Sequence, residues 1–229
     1  MQSFLSLLAL SLIALTMSAA PIDCQPGTLQ DYINLGPTGC ALSDKVVAGF
    51  TELEIPNSAT LISADTILVI PVATPFMPSL VFSTPATAGA GTLLYSRFGY
   101  SVTAANPITS LGLDLAGASV TGDGSVTIIK QSCLTADNPD AALCASPPTD
   151  PLLLFAISGD SSLSATSPLS SPASFLLIAE DIGLDGGADG TAGFTTATNT
   201  FFETATVPEP TTWTTAALGL LLLTRLRRR

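Results

Sequence analysis

The feature that most constrains this fold is a succession of short, β-branched apolar segments separated by turns, running from Lys45 to the last quarter of the chain. Helical periodicity is almost absent from this region. Segments of four to eight residues bounded by Gly, Pro, Asn and Asp are typical of strands. Their spacing predicts an all-β fold, an antiparallel β-sandwich of about eight to ten strands.

Alternation within two of these segments predicts which side chains share a face of the strand. In residues 92–103, one face carries Leu94, Ser96, Phe98 and Tyr100. In residues 125–132, Val126, Ile128 and Lys130 share one face. Thr121-Gly122-Asp123-Gly124 between them predicts a hairpin turn. The Ser/Pro-rich residues 158–174, like residues 137–151, are interpreted as surface loops.

One short helix is predicted before the strands, over Gly27 to Leu35. Thr28 is a suitable N-cap, and Asp31 three residues later is a capping-box partner. Gly36-Pro37 ends the segment.

Four cysteines allow three disulfide connectivities. We favour the two local pairs, Cys24–Cys40 and Cys133–Cys144, because each pair brackets a Gly/Pro-rich loop. A metal site is the alternative, but no Cys-x-x-Cys spacing is present. Disulfides indicate an oxidising compartment.

Charge and composition exclude several functions. The chain of 229 residues has 7 basic and 18 acidic residues and no histidine. It therefore lacks the base of a Ser-His-Asp or Cys-His site. Too few cations are available to neutralise a row of phosphates, so nucleic-acid binding is not expected. We expect no enzymatic activity.

The N-terminus has the pattern of a secretory signal. Residues 1–20 combine an apolar run, Leu7 to Met17, with the small residues Ser18-Ala19-Ala20 of a cleavage site. An uncleaved N-terminal anchor is the alternative. The apolar run is short for a membrane span of about 20 residues, which favours cleavage by signal peptidase.

The C-terminus, residues 207–229, has three parts in a fixed order. An extended segment, Val207-Pro208-Glu209-Pro210, precedes an apolar stretch over residues 212–224. Four arginines follow it: Arg225, Arg227, Arg228 and Arg229. Apolar helices flanked by a basic cluster insert with that cluster at the cytoplasmic face. A plain single-pass tail anchor is the alternative to a processing signal.

This tail resembles the PEP-CTERM sorting signal of Gram-negative bacteria. The resemblance implies that an exosortase recognises Pro208, Glu209 and Pro210 after transient anchoring in the inner membrane. It further implies cleavage and delivery to the cell envelope, outer surface or extracellular matrix, with an association with exopolysaccharide. The mature domain would then span residues 21–206, with three basic and 17 acidic residues and a net charge of about −14 by residue count.

Two clusters are candidates for ligand chemistry. Residues 180–190 carry Asp181, Asp185 and Asp189 among glycines, which suggests a Ca²⁺ site or a loop that uses Asp and Gly for its turns. Tyr95, Phe98 and Tyr100 could form a sugar-stacking face or pack inward.

Three hypotheses for function follow. The first is an exported structural or interaction protein of the envelope, and the second is a carbohydrate- or Ca²⁺-binding surface module. The third is a polysaccharide-cleaving enzyme that uses Glu52 and Glu54, although a solvated strand face is the favoured explanation of that pair. The first is the prediction that we carry forward.

Overall fold

The computed structural model describes residues 21–134 and 152–203, which lie inside the predicted mature domain. Within these ranges there is one α-helix, α1 (Leu29–Asn34), and two 3-10 helices (Gly36–Thr38 and Ala64–Thr66). The strands are β1 (Ile22–Asp23), β2 (Gly27–Thr28), β3 (Cys40–Leu42), β4 (Lys45–Glu52), β5 (Thr60–Leu61), β6 (Leu68–Val72), β7 (Ser79–Ser83), β8 (Thr87–Ala88), β9 (Leu93–Ala116), β10 (Ser119–Thr121), β11 (Ser125–Cys133), β12 (Leu152–Ile157), β13 (Asp160–Ser162), β14 (Ser164–Asp185), β15 (Thr191–Gly193) and β16 (Thr196–Glu203).

Two long strands, β9 and β14, build the sandwich because each takes part in both layers. The first half of β9 pairs with β4 and with the second half of β14. The second half of β9 pairs with β16 and with the first half of β14. We call the layer that contains β4, β11 and β12 the front layer, and the layer that contains β6, β7 and β16 the back layer. A small separate sheet has the order β10-β15-β8.

A change in the side-chain alternation of β9 marks the bend between the layers. Before it, the even-numbered Phe98, Tyr100 and Val102 are buried. After it, the odd-numbered Leu111 and Leu113 are buried. Since successive side chains of a strand point to opposite faces, this change lets both halves of β9 face one core. The predicted antiparallel β-sandwich is confirmed, but the described residues contain sixteen strands where about eight to ten are predicted, because many short edge strands pair only through tertiary contacts.

Aromatic rings hold the two layers together. Phe82 of the back layer packs against Phe98 of the front layer with ring centroids 5.0 Å apart. Its ring also lies 6.3 Å from that of Tyr100, which stacks on Phe50 at 4.8 Å. Edge-to-face and offset contacts at these distances add to the free energy gained by burial.

The short helix and its cap agree with the sequence prediction. Helix α1 begins after Thr28, whose hydroxyl accepts a hydrogen bond from the Asp31 amide, while the Asp31 carboxylate accepts one from the Thr28 amide. Hydrogen bonds that the Thr28 amide and hydroxyl donate to the Asp31 carboxylate hold the pKa of Asp31 below its usual range. Leu29 and Tyr32 face the core, and the chain then turns through Gly36–Thr38.

The predicted Cys24–Cys40 disulfide is confirmed, with a Cα–Cα separation of 4.9 Å. It ties the segment before α1 to β3, which follows the helix. Cys133 is also disulfide-bonded. Cys144, its predicted partner, lies outside the described residues.

We expect the double variant Cys24→Ser/Cys40→Ser to lose about 3 kcal/mol of unfolding free energy, since a loop of this length is freed in the unfolded chain. Urea unfolding, compared with the wild-type protein under oxidising conditions, measures the loss. An unchanged midpoint would contradict a structural role for this bond.

Two predictions made from short stretches of sequence are wrong, because pairing between distant segments decides the structure there. The Thr121–Gly124 turn forms, but β10 and β11 on either side of it do not pair with each other. β10 joins the small sheet and β11 joins the front layer. The Ser/Pro-rich residues 158–174 are not a loop, because they contain β13 and the first half of β14. Long-range pairing with Leu111 to Asp114 of β9 makes this polar segment a strand.

Gly186 lies where the backbones of two loops touch. A Cβ atom at this position would be 1.8 Å from the Gly89 carbonyl oxygen. We expect Gly186→Ala to cost about 1–3 kcal/mol, because backbone must move to admit the methyl group. Gly89→Ala is the matched control, as its Cβ would meet no atom within 4 Å. Equal thermal midpoints for the two variants would contradict this prediction.

Candidate functional site

The outer face of the front layer carries a shallow cavity of about 250 Å³. Three neighbouring strands, β11, β14 and β9, provide its floor in register. One row of paired residues is Thr127, Gly183 and Tyr95. Because Gly183 has no side chain, the centre of the patch is hollow, and the Tyr95 ring packs close to it. We call this patch the Tyr95 hollow.

A charged pair borders the Tyr95 hollow. Arg97 Nε lies 2.8 Å from Asp181 Oδ1, and the two side chains are 19% and 13% exposed. They come from adjacent strands and are register partners. Burial and the negative charge of Asp181 raise the pKa of Tyr95. An aromatic ring beside a guanidinium and a carboxylate can bind a ligand that has apolar faces and hydroxyl groups.

The three aromatic residues predicted as a possible sugar-stacking face do not share a face. Phe98 and Tyr100 are buried between the layers, and Tyr95 faces outward on the same strand. The separation follows from the period of two, since odd and even positions point to opposite sides. The inward alternative is therefore correct for Phe98 and Tyr100.

The three aspartates considered for Ca²⁺ are not brought to one point. Asp181 pairs with Arg97 in mid-strand, whereas Asp185 accepts a hydrogen bond from the Gly187 amide. Asp189 lies in the following loop, where its amide donates to Asp123. No group of three or more metal-ligating side chains occurs in residues 21–134 and 152–203. The carboxylates of Asp123 and Asp185 accept hydrogen bonds from backbone amides of this loop.

The carboxylates considered for polysaccharide cleavage are at the end of β4. Glu52 is its last residue, and Glu54 follows the strand; both are exposed. Neither lines the Tyr95 hollow.

Two charged residues that the sequence alone does not assign to the interior form a cluster between the layers. Lys130 and Glu180 are 1% and 0% exposed and are register partners on β11 and β14. Asn199 of β16 is also completely buried. Burial lowers the pKa of Lys130 to about 8 and raises that of Glu180 to about 8. Each charge partly offsets the shift of the other.

A second buried lysine joins the layers near the bend of β9. Lys45, which is 0% exposed, donates to Asp44 at 2.9 Å and to Glu203 at the end of β16. Burial opposes ionisation of Asp44, but hydrogen bonds from Lys45 and from the Asn106 amide outweigh it and lower the pKa. Lysine is seldom fully buried without such partners.

The remaining predicted functional segments cannot be placed. The signal peptide, residues 1–20, and the sorting signal, residues 207–229 with its apolar part 212–224, lie outside the described residues. Within the parts of the chain that the structure describes, none of the helices has the length and hydropathy of a membrane span.

The described residues thus define an acidic, disulfide-bonded β-sandwich with a hollow on its outer face and charged residues in its interior.

No family model matches the chain, and no curated protein matches its sequence. A solved structure, the Glycosylation Associate Protein (Gap123) complex from Streptococcus agalactiae, is 11% identical, at a TM-score of 0.30. That match covers 72% of this chain and 27% of the other. The structure of TmCBM61 in complex with beta-1,4-galactotriose is 11% identical, at a TM-score of 0.26, covering 75% of this chain and 94% of that one.

Proposed function

We propose that this chain is an exported protein with a structural or interaction role in the cell envelope or extracellular matrix, and that it has no enzymatic activity. The observation that carries the proposal is the Cys24–Cys40 disulfide within a β-sandwich. Disulfides persist in oxidising compartments outside the cytoplasm. The PEP-CTERM-like tail supports sorting by an exosortase and a connection with exopolysaccharide.

Intact mass of the protein recovered from the envelope and medium of producing cells tests this proposal. We expect a mature form without residues 1–20 and without the arginines that end the chain. Replacing Pro208, Glu209 and Pro210 by alanine should retain the tail and leave the protein in the inner membrane. A wild-type mature form that still carries Arg225 to Arg229 would overturn the sorting part.

The Tyr95 hollow favours a second candidate function, binding of a saccharide from the surrounding matrix. The partly buried Tyr95 ring can pack on the apolar face of a sugar, while Arg97 and Asp181 can bond to its hydroxyl groups. The surface of the domain is strongly acidic, so a neutral saccharide fits it better than an anionic one.

Calorimetric titration with oligosaccharides released from the producer's own exopolysaccharide tests this candidate. We expect Tyr95→Ala to abolish the binding that the wild-type protein shows. Thr103→Ala is the matched control, because Thr103 is exposed on the same strand away from the hollow. Binding by Tyr95→Ala at wild-type strength would exclude the hollow, and release of reducing sugar above background would contradict the non-enzymatic role.

A further inference from the structure

The charged cluster between the layers brings an amine, a carboxyl group and a carboxamide together in the buried core. Lys130 and Glu180 lie side by side on the inner face of the front layer. Asn199 faces them from the back layer, flanked in its own sheet by Leu113 and Leu80. All three side chains are at most 1% exposed.

The Lys130 amine nitrogen reaches the immediate neighbourhood of Asn199. Its Nζ lies 3.3 Å from the Gly112 carbonyl oxygen and 4.8 Å from the centre of the Phe201 ring. Phe201 is two residues beyond Asn199 and faces the same side of β16. Gly112 is in the paired strand, next to the register partner of Asn199. The lysine side chain therefore crosses the core from β11 to the part of the back layer that holds Asn199.

Glu180 lies beside both of these groups. Its charge acts on Lys130, and the Asn199 amide is close enough to lower the pKa of the carboxyl group. Yet neither oxygen of Glu180 and neither polar atom of Asn199 makes a hydrogen bond of standard length and angle. Buried polar atoms are almost always hydrogen-bonded in folded proteins, so this arrangement requires an explanation.

The surroundings favour uncharged forms of the two ionisable groups. Phe98 is the register partner of Glu180, and Phe201 covers Lys130. A desolvated lysine and a desolvated carboxylic acid lose the hydration that stabilises their charges. An uncharged lysine amine in an apolar pocket is a nucleophile.

We propose that Lys130 and Asn199 react with each other to form an intramolecular isopeptide bond that links the two layers, with Glu180 as the catalytic residue. Neither the sorting signal nor saccharide binding is needed for this reaction.

The step balances without an oxidant or any further reactant. The Lys130 Nζ lone pair attacks Cγ of Asn199 and forms the new Nζ–Cγ bond. The protonated Glu180 carboxyl group gives a proton to the departing Nδ2 and takes one from Nζ, so it ends as it began. The Cγ–Nδ2 bond breaks, and one molecule of ammonia leaves.

Formation of the isopeptide bond removes a buried ionisable amine from the core. The buried Lys130 amine and Asn199 carboxamide become one neutral amide, and the Glu180 carboxyl group can hydrogen-bond to it. The bond also joins β11 to β16, two strands of opposite layers that are far apart in the chain. A cross-link over such a distance restricts the unfolded chain strongly.

Intact mass of the folded full-length chain, measured after reduction and denaturation, tests the proposal. We expect a mass lower than that of the linear sequence by one ammonia molecule. Proteolysis and fragmentation should then yield a branched peptide that joins Lys130 to Asn199. Chains kept in denaturant from the time of synthesis should retain the full mass, because the reaction needs the folded core.

Three variants test the roles of the proton carrier and of the leaving group. Glu180→Gln keeps the shape of the side chain but removes the proton carrier, and it should keep the full mass while circular dichroism shows a folded protein. Asn199→Asp should lose one water molecule in place of ammonia. Asn34→Asp, an exposed site, is its matched control and should still lose ammonia.

A folded wild-type protein of full linear mass would overturn the proposal by itself, whatever the variants do. So would an ammonia loss located at other residues, or an undiminished loss in Glu180→Gln.

Discussion

Replacement of Lys45 by methionine is expected to lower the free energy of unfolding by about 3–5 kcal/mol, because it leaves the buried carboxylate of Glu203 without a counter-charge. Glu203 is 2% exposed in its side chain, and Lys45 is completely buried. The pair connects the first residue of β4 with the last residue of β16. Urea unfolding at neutral pH measures the loss.

The double variant Lys45→Met/Glu203→Leu separates the charge effect from a packing effect. Replacing both members of a buried ion pair by apolar residues is often neutral, so the double variant should regain most of the lost stability. Glu54→Gln, which removes an exposed charge, should change the stability by less than about 0.5 kcal/mol. A double variant as unstable as Lys45→Met would show that the cost does not arise from the unpaired charge.

The pH dependence of this cluster follows from the lowered pKa of Asp44. A carboxyl group with a lowered folded-state pKa contributes stability above its unfolded value of 3.8, and this contribution is lost as the pH falls through the folded value. The free energy of unfolding of the wild-type protein should therefore fall as the pH is lowered below 3.8. The slope should be shallower in Lys45→Met, since the hydrogen bond that helps to lower the pKa is gone.

The second large effect is expected for Phe98→Ala, at about 3–5 kcal/mol. Phe98 is completely buried, and its ring lies 5.0 Å from that of Phe82 and 6.4 Å from that of Tyr100. Its removal opens a cavity where the two layers meet, and the close-packed neighbours can fill it only in part.

Phe76→Ala is the matched control, because Phe76 is 47% exposed. We expect it to change stability by less than about 0.5 kcal/mol, as for other exposed positions. Thermal or urea unfolding of the two variants side by side gives the comparison. Similar losses in both would mean that the aromatic contacts between the layers contribute little.

Predictions from the sequence are confirmed where interactions are local. The capping box of Thr28 and Asp31 depends on a spacing of three residues, and it is present. The shared face of Val126, Ile128 and Lys130 follows from the period of a strand, and all three are buried. The Cys24–Cys40 bond brackets one short segment, and the local pairing that the sequence favours is present.

Polar residues of the interior cluster interrupt the apolar alternation of their strands, and this interruption is visible in the sequence. Glu180 alternates with Ile178 and Ile182, and Asn199 occupies the position between Ala197 and Phe201 that an apolar residue would normally fill. Each residue is an exception in its own strand. Only the pairing of β11 with β14, and the packing of β16 across them, shows that these exceptions meet.

The sequence by itself therefore determined the class of fold and the short capped helix, favoured the disulfide around that helix, and placed the side chains of two strands on common faces. These features depend on backbone periodicity and on contacts between residues that are close along the chain. The tertiary structure alone decided that β9 and β14 bend through both layers, that a Ser/Pro-rich segment becomes a strand, and that two lysines lie inside an acidic domain. Those outcomes arise from pairings between distant segments, whose partners and register no single stretch of sequence specifies.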